Sequence, residues 1–492
     1  MSDLRRPLLI TFFSSSGTTA LHFALSLVLA RLLSPHDIGI FSMTVVLVNI
    51  AHMFRDFGVA TYVQRERELS VDKMRSAMGV MYLTSWVIAS LLYLAAGLLA
   101  SWFGEPAMEE VMRVLALGFV VIPFASLTQS LLVRELAADK QAWINAAGTL
   151  SYCSSGLLLA WLDFGAVSLA WANLFNILAT VLACLPLRPP GLPWLPSLRH
   201  WRVVVSFGAG TLAANCINAI NNALPDVLLG KLGSASQVGL FSRANSTVSI
   251  FSHVAGATIN YGAVAWMSKS HHEGSALAPI LLHAARLLTG IGWPAFAVTA
   301  VVGADLVRTL YGDGWRDCVP AMAPLALTAA VAISFHYLPA ALTALGRPYL
   351  SSQPLLAMIV LRVALAACLF DSSLASFAWA ICLATLATAP VMLWMQRRYL
   401  GLRAGEFLRA LGPSMLVTLV CATGAWLCQA LLPAAWPAWA RLLALVPVMV
   451  LLWYGALRVS GHGLLEEVHR LGAEMRAQRR SGASKRSQVR RN

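Results

Sequence analysis

The sequence predicts an all-α membrane protein of about fourteen transmembrane helices, with two six-helix lobes and two extra helices at the C-terminal end. Three observations predict this fold: the composition, the number of long apolar segments, and a repeated sequence block. Of the 492 residues, 58% are hydrophobic and 12% are charged, about half the charged share of an ordinary soluble domain. A water-soluble fold cannot hide that much apolar surface, so the composition favours a membrane protein.

The apolar segments have the length that a membrane crossing requires. A hydrocarbon core about 30 Å thick needs about 20 apolar residues, because a helix rises about 1.5 Å per residue. Fourteen segments qualify, and they are numbered here in chain order: 10–33, 38–63, 77–103, 109–133, 142–163, 166–187, 203–231, 237–266, 277–303, 320–345, 349–371, 374–397, 407–431 and 437–460. Segment 1 is too long for a signal-peptide core and lacks an A-x-A-like cleavage site, which favours a retained helix.

One sequence block occurs twice, at the end of segment 1 and at the end of segment 7. LARLLSPHDIGIFS at Leu29–Ser42 returns as LGKLGSASQVGLFS at Leu229–Ser242, with six identities in fourteen positions. This indicates a duplicated unit. Because six segments separate the copies, both enter the membrane in the same direction, and the two halves should be related by an axis along the membrane normal.

The duplication predicts the domain organisation. We expect an N-lobe of segments 1 to 6, a Pro-rich cytoplasmic linker, a C-lobe of segments 7 to 12, segments 13 and 14 without a copy, and a basic cytoplasmic tail. Their bounds are 1–187, 188–202, 203–397, 398–460 and 461–492. The tail carries apolar residues at helical spacing, which suits either an amphipathic helix on the anionic leaflet or a disordered, solubilising segment.

The distribution of Lys and Arg predicts the orientation. With a cytoplasmic N-terminus, the cytoplasmic loops up to Arg409 carry seventeen Lys or Arg residues and the other side carries six, and the tail from Arg458 adds nine. The positive-inside rule therefore places both termini in the cytoplasm. The net charge of +14 is then mainly a topology signal, and we expect no nucleic-acid partner.

Polar residues within the apolar segments are the candidate site, because each costs free energy unless it has a partner or a wet cavity. The candidates for substrate binding are Arg31, Arg55, Lys231, Arg243, Asn215, Asn218 and Asn222, and those for ion or proton coupling are Asp56, Asp226, His22 and His52. Ordinary explanations stay open: snorkelling of Arg31 and Lys231 to the interface, hydrogen bonds between helices for the asparagines, and structural roles for the histidines. Arg286 and Arg362 are further charges within segments 9 and 11.

No motif predicts an enzyme. The longest outer loop, Asp305–Val319, has no histidine and no paired carboxylates in a catalytic frame, and no phosphate-binding Gly-Lys-Ser/Thr loop occurs in the chain. We expect no catalytic residues, no metal site and no cofactor.

Several motifs resemble one known family. ARLLSPHDIGIFSM, FRDFGVATYVQRE, PDVLLGKLGSASQVGLFSRA, LYGDGWRDCVPAMAPL and ALGRPYL are similar to the Wzx-like polysaccharide transporter family of oligosaccharide flippases, in the multidrug/oligosaccharidyl-lipid/polysaccharide (MOP) exporter superfamily. The resemblance implies a V-shaped MATE-like bundle whose segments 1, 2, 7 and 8 line a cationic cavity. It also implies a substrate, a polyprenyl-diphosphate-linked oligosaccharide carried from the inner to the outer leaflet for lipopolysaccharide O-antigen, exopolysaccharide or capsule.

The location and partners follow from that resemblance. We expect a multi-pass protein of the bacterial inner membrane that contacts membrane lipids and works with a polysaccharide polymerase and a chain-length regulator. A MATE-like multidrug or cation antiporter is the nearest alternative, and it needs an anionic cavity. A membrane polymerase or ligase acting on lipid-linked glycans is the other alternative, and it needs a large catalytic loop on the outer face.

Overall fold

The computed structural model describes residues 2–56, 59–66, 69–135, 137–189, 192–193, 195–199, 201–260, 263–433, 435–467 and 470. Over these residues the regular elements are all helices, which confirms the all-α class. In chain order they are α1 (Ser2–Leu32), α2 (Pro35–Asp56), α3 (Val59–Arg65), α4 (Val71–Phe103), α5 (Ala107–Val121), α6 (Pro123–Arg134), α7 (Ala138–Trp161), α8 (Ala166–Cys184), α9 (Trp201–Leu232), α10 (Ala235–Asn260), α11 (Ala263–His272), α12 (Leu277–Val301), α13 (Gly303–Leu310), a 3-10 helix (Asp313–Ala321), α14 (Met322–Ser334), α15 (Leu338–Ala344), a 3-10 helix (Pro348–Ser351), α16 (Ser352–Leu369), α17 (Leu374–Leu400), α18 (Ala404–Leu431) and α19 (Ala438–Val459).

The helices confirm a multi-pass membrane protein. Every apolar segment coincides with a described helix or with two consecutive helices. Among the described helices nine are long and apolar enough to span a membrane, or ten when α5 and α6 count as one span bent by 56°. The number fourteen therefore stays a prediction.

Within the described residues two apolar segments are broken into two helices, namely α5 and α6, and α14 and α15. The α5–α6 break has a local cause, because Pro123 is the first residue of α6 and has no N–H to donate to the carbonyl four residues earlier. The hydropathy of the sequence does not predict such a break, because the chain is apolar on both sides of it.

The described chain divides into two compact units. The first comprises Met1–Arg243, Leu310–Cys318 and Arg362–Phe377. Within it α7 packs on α1 and α8, α5 packs on α4 and α8, and α2 packs on α5 and α9. Because both copies of the repeat belong to this unit, their mutual geometry is defined.

The linker between the predicted lobes packs against α3 and α4. Leu192 is buried in a hydrophobic cluster with Val63 and other residues of these helices. Arg75 Nε donates a hydrogen bond to the Leu195 carbonyl at 3.2 Å, and the Ser197 N–H donates to the Arg75 carbonyl at 2.9 Å. These described residues of the linker thus follow a defined path.

The second unit comprises Ala244–Thr309, Val319–Leu361 and Ala378–Asn492. Here α12 packs on α14 and α18, and α18 packs on α19. Helices α18 and α19 are segments 13 and 14, which the duplication does not explain. Their packing makes them part of this unit's core.

Helix α19 donates a hydrogen bond to a carbonyl of α12 that has lost its donor within α12. Pro294 lies inside α12 and has no N–H, so the carbonyl of Gly290 loses its usual partner in the helix. The Trp453 indole N–H donates to that carbonyl at 3.0 Å. Helix α19, one of the two C-terminal helices, therefore satisfies the carbonyl that Pro294 leaves open in α12.

The start of the tail is held by a directed chain of hydrogen bonds. The Leu464 N–H donates to His462 Nδ1 at 3.1 Å, so the proton of the neutral ring lies on Nε2, which is 3.0 Å from Ser414 Oγ. Ser414 Oγ lies 2.9 Å from Thr289 Oγ1, and Thr289 Oγ1 donates to the Ala285 carbonyl at 2.8 Å. The tail thus begins docked on α12 and α18, and its later apolar residues lie outside the described residues.

Candidate functional site

The two copies of the repeat start their second helices in the same way. The Ser34 N–H donates to Asp37 Oδ2 and the Asp37 N–H donates to Ser34 Oγ, each at 3.1 Å. In the second copy the Ser234 N–H donates to Gln237 Oε1 at 3.1 Å and the Gln237 N–H donates to Ser234 Oγ at 3.3 Å. Each pair is a capping box that satisfies N–H groups at the start of a helix, which explains why the serine is identical in both copies.

The copies cross each other at Gly39 of α2 and Gly239 of α10. A β-carbon on Gly39 would overlap the Ala235 carbonyl oxygen, and one on Gly239 would overlap the Pro35 carbonyl oxygen. Each would also lie 3.0 Å from the backbone nitrogen of the other glycine. The contact is therefore reciprocal, and it requires glycine at both positions because the neighbouring atoms are backbone.

Arg243 lies beside two aromatic rings. Its guanidinium carbon is 5.5 Å from the Tyr311 ring centre and 5.4 Å from the Trp315 ring centre, within the range of cation–π attraction. The Trp315 indole N–H donates to the Ala30 carbonyl at 2.7 Å. This bond joins the Arg243 site to the end of α1, next to Arg31.

Lys231 and Arg31 occupy matching positions in the repeat, at the ends of α9 and α1. Lys231 Nζ donates to the Trp102 carbonyl at 2.7 Å and lies 4.7 Å from the centre of the Trp102 ring. Arg31 is in the last turn of α1, and its side chain is exposed. Both matched cations are therefore exposed at the ends of their helices, and Lys231 packs on Trp102.

Arg55 belongs to the opposite end of α2. It is 8% exposed and lies about 30 Å along the helix from Pro35, whereas Arg243 lies about 12 Å from the start of α10. Thr84 Oγ1 donates to the Arg55 carbonyl at 3.2 Å. The structure thus separates the cations along the helices instead of collecting them in one cluster.

The candidate histidines contact aromatic rings. His22 lies 5.2 Å from Tyr152, and His52 stacks on Phe119 at 4.2 Å between ring centres. Both histidines are half-buried. These contacts lie where α1 packs on α7 and where α2 packs on α5. A role of the histidines in proton transfer stays a prediction.

The remaining candidates lie on α9 and at the end of α2. Asn218 and Asn222 are exposed, and Asp226 is half-buried. The side chains of Asn215 and Asp56 lie outside the described residues. The exposed pair, four residues apart, shares one face of α9.

The sequence prediction missed three aromatic side chains and one buried pair. Tyr311 and Trp315 belong to the LYGDGWRD motif, whose sequence marked a family but did not indicate contact with Arg243. Trp102 precedes a helix end and carries no signal for Lys231. Arg362 stood out as a charge in an apolar segment, and its partner is the neighbouring asparagine of the stripe, Asn221.

Comparison with known proteins identifies the family. A family profile described as "Polysaccharide biosynthesis protein" matches residues 28–320, more than half of the chain. The chain belongs to this family. The resemblance to Wzx-like polysaccharide transporters is thereby confirmed.

The similar curated proteins have related names. The chain is 22% identical over 299 residues to the lipopolysaccharide biosynthesis protein WzxC of Escherichia coli K12, covering 60% of each chain. It is 20% identical over 382 residues to the teichuronic acid biosynthesis protein TuaB of Bacillus subtilis 168, covering 75% of this chain and 77% of TuaB. The succinoglycan biosynthesis transport protein ExoT of Rhizobium meliloti 1021 is 22% identical, covering 64% of each chain. The match thus spans less than two thirds of WzxC and of ExoT.

Solved structures confirm the fold. The lipid II flippase MurJ in an inward closed conformation matches with a TM-score of 0.69 at 12% identity, covering 92% of this chain and 98% of MurJ. An inward-facing multidrug resistance MATE family transporter of the MOP superfamily matches with a TM-score of 0.60 at 16% identity, covering 77% of this chain and 94% of the transporter. At these identities the matches establish a MOP-type fold and nothing about the substrate.

Proposed function

We propose that this protein moves a polyprenyl-diphosphate-linked oligosaccharide repeat unit from the inner to the outer leaflet of the bacterial inner membrane by alternating access. The product would serve O-antigen, exopolysaccharide or capsule assembly. The observation that carries the proposal is the position of Arg55 and Arg243 on α2 and α10, the helices that begin within the two copies of the repeat, in otherwise apolar segments. The family and the fold support it.

The chemistry of the cations suits a diphosphate. A lipid-linked diphosphate carries about two negative charges, and guanidinium groups pair well with phosphate oxygens. The rings of Tyr311 and Trp315 contact the Arg243 guanidinium through cation–π attraction, which leaves its positive charge in place.

The spacing of the cations suggests an order of contacts. With the N-terminus in the cytoplasm, Arg55 lies near the inner face and captures the diphosphate first. Arg243 lies closer to the outer end and receives it next, while Lys231 and Arg31 hold it at the exit. The lipid tail stays in the bilayer, and the sugar passes along the exposed Asn218 and Asn222 of α9.

The membrane potential supplies the driving force in this proposal. A potential negative inside is worth about 2.3 kcal/mol per charge per 100 mV, so the export of two negative charges gains about 4.6 kcal/mol. If an ion is also coupled, Asp226 is the residue that we propose for it. In vesicles without a potential, a pH gradient should then stimulate flipping by the wild type and not by Asp226→Asn, and equal stimulation of both would contradict this role.

The test is flipping of a fluorescent short-chain polyprenyl-diphosphate oligosaccharide by the full chain in liposomes. Arg55→Gln and Arg243→Gln should each slow flipping about tenfold or more, because each loses a charged hydrogen-bond donor. Arg113→Gln is the matched control: Arg113 is exposed and pairs with Glu109 on its own helix at 2.5 Å. Flipping that is unchanged in both Arg55→Gln and Arg243→Gln would contradict the proposal.

The alternatives predict other results. A cation antiporter would give resistance to cationic drugs that depends on Asp226, and it would not depend on Arg55. A polymerase or ligase would lengthen or transfer the glycan in the same liposomes, whereas we propose no catalytic activity. Reporter fusions at both ends test the cytoplasmic termini, and co-purification from the native host tests binding of a polymerase and a chain-length regulator.

A further inference from the structure

Helix α9 contains a break in its hydrogen-bond ladder that a distant residue closes. Pro225 lies inside α9 and has no backbone N–H, so the carbonyl of Asn221, four residues earlier, loses its partner within the helix. A carbonyl without a partner is costly in an apolar environment. A donor from another part of the first unit has to satisfy it.

Arg362 of α16 supplies that donor. Its Nη1 donates to the Asn221 carbonyl at 2.8 Å and lies 3.1 Å from Asn221 Oδ1. Arg362 is 9% exposed and Asn221 is 8% exposed. A charge in this apolar segment therefore has a specific partner, which is the carbonyl that the proline leaves open.

The bond is more than general helix packing. The donor is charged, and hydrogen bonds with a charged partner are about twice as strong as those between neutral groups. Among the described residues Arg362 Nε is buried and has no hydrogen-bond partner, whereas Nη1 of the same guanidinium contacts Asn221. The guanidinium is thus placed to serve Asn221 and not to satisfy all of its own donors.

The break lies beside Asn222, on the proposed substrate path, and Asp226, the residue proposed for a coupled ion. Asn222 follows Asn221, and Asp226 follows Pro225. Helices bend at prolines, because the missing bond and the proline ring both favour a kink. A clamp on the Asn221 carbonyl therefore controls how the helix directs Asn222 and Asp226.

We propose that Arg362 is a positioning residue that clamps the Pro225 break of α9 and sets the orientation of the helix surface that carries Asn222 and Asp226. Its importance for transport rests on the proposed function. The clamp itself does not, because it is a statement about α9 and α16 alone. The effect of an ordinary contact between helices would not depend on whether residue 225 is a proline, and this difference provides the test.

The test compares wild type, Arg362→Gln, Pro225→Ala and the double variant of the full chain in nanodiscs by hydrogen–deuterium exchange. Arg362→Gln should speed exchange of the α9 amides at 222–230 about tenfold or more, the loss expected for a charged hydrogen bond. Pro225→Ala restores an N–H for the Asn221 carbonyl. In that background Arg362→Gln should change exchange less than about threefold, since the carbonyl no longer depends on Arg362.

Arg362→Lys is the conservative control, and it should restore part of the protection because an ammonium donates to one carbonyl but lacks the planar fork. If Arg362→Gln alone does not fold, the double variant should still fold, and failure of both would overturn the proposal. Equal acceleration with proline or alanine at residue 225 would also overturn it. So would unchanged exchange in Arg362→Gln.

A flipping assay separates this proposal from the proposed function. Arg362→Gln should lower the maximal flipping rate about tenfold while the half-saturating substrate concentration stays within about twofold, and Pro225→Ala should relieve the effect. A wild type that does not flip would contradict the proposed function, whereas the exchange rates of the four proteins would still decide whether the clamp exists. A rise in half-saturation at an unchanged maximal rate would assign Arg362 to substrate binding and overturn its positioning role.

Discussion

Replacing Gly39 by alanine should force the two repeat copies apart where α2 crosses α10. The new β-carbon would overlap the Ala235 carbonyl oxygen and lie 3.0 Å from the Gly239 nitrogen. Both are backbone atoms of a helix, so no side chain can rotate out of the way. The two helices themselves have to separate.

The size of the effect follows from two opposing contributions. Overpacking of a close contact costs about 1–3 kcal/mol, and replacing glycine by alanine inside a helix returns about 0.5–1 kcal/mol. Because the overlapped atoms are backbone, the overpacking cost lies in the upper half of its range, at about 2–2.5 kcal/mol. The net cost is then about 1–2 kcal/mol, which changes a two-state population about 5- to 30-fold. Gly239→Ala should have a similar effect, because its β-carbon would overlap the Pro35 carbonyl oxygen in the same way.

The assay is the distance between spin labels at positions 32 and 232, whose leucines are 39% and 43% exposed, in a chain without its native cysteines. Each glycine variant should increase the population with a longer distance about 5- to 30-fold. The double variant should add little, because one separation makes room for both β-carbons. Gly17→Ala is the control, since no atom lies within 4 Å of its β-carbon position.

An unchanged distance distribution in both single variants would refute the reasoning. Fully additive effects would refute the reciprocal contact, even if each variant alone separated the labels.

Three further predictions concern single contacts. Trp453→Phe should lower the free energy of unfolding by about 1–3 kcal/mol, because the Gly290 carbonyl loses its donor, and an unchanged denaturation midpoint would argue against this. Burial, and then a nearby arginine, lower the pKa of His462 below its ordinary value of 6.5, so docking of the tail should weaken as the pH falls below 6.5. The measurement is hydrogen–deuterium exchange of the turn after His462, which should become faster once the rates are corrected for the pH dependence of intrinsic exchange. Lys231→Met should cost about 0.5–1 kcal/mol in thermal unfolding through loss of the Trp102 contact, with Lys231→Arg close to wild type, and equal losses in both variants would exclude a charge-based contact.

The sequence predicted the class of fold because a bilayer imposes a simple rule on composition. Apolar segments of about 20 residues are needed for each crossing, and the described helices coincide with the segments that meet this length. The repeat predicted a duplicated unit, and its identical Ser34 and Ser234 prove to be helix caps. Local rules of this kind are readable because each depends on a few neighbouring residues.

The sequence predicted which charged residues form the candidate site, but it did not predict which residues surround them. Arg243 stood out because a charge in an apolar segment needs a reason, but Tyr311 and Trp315 lie 68 and 72 residues further along the chain. Lys231 matched Arg31 in the repeat, and nothing in that match indicated that Trp102 lies beside Lys231. Contacts of this kind depend on which helices become neighbours, and hydropathy does not encode that.

The sequence by itself determined that this protein lies in a membrane, that one block of it occurs twice, and that it carries cations where lipid would disfavour them. Only the tertiary structure decided that Gly39 and Gly239 cross, that Arg362 reaches the carbonyl left open by Pro225, and that Trp453 does the same for Gly290. The reason is physical. Burying apolar surface depends on composition and length, whereas a carbonyl without its own N–H is satisfied only by whichever helix packs beside it.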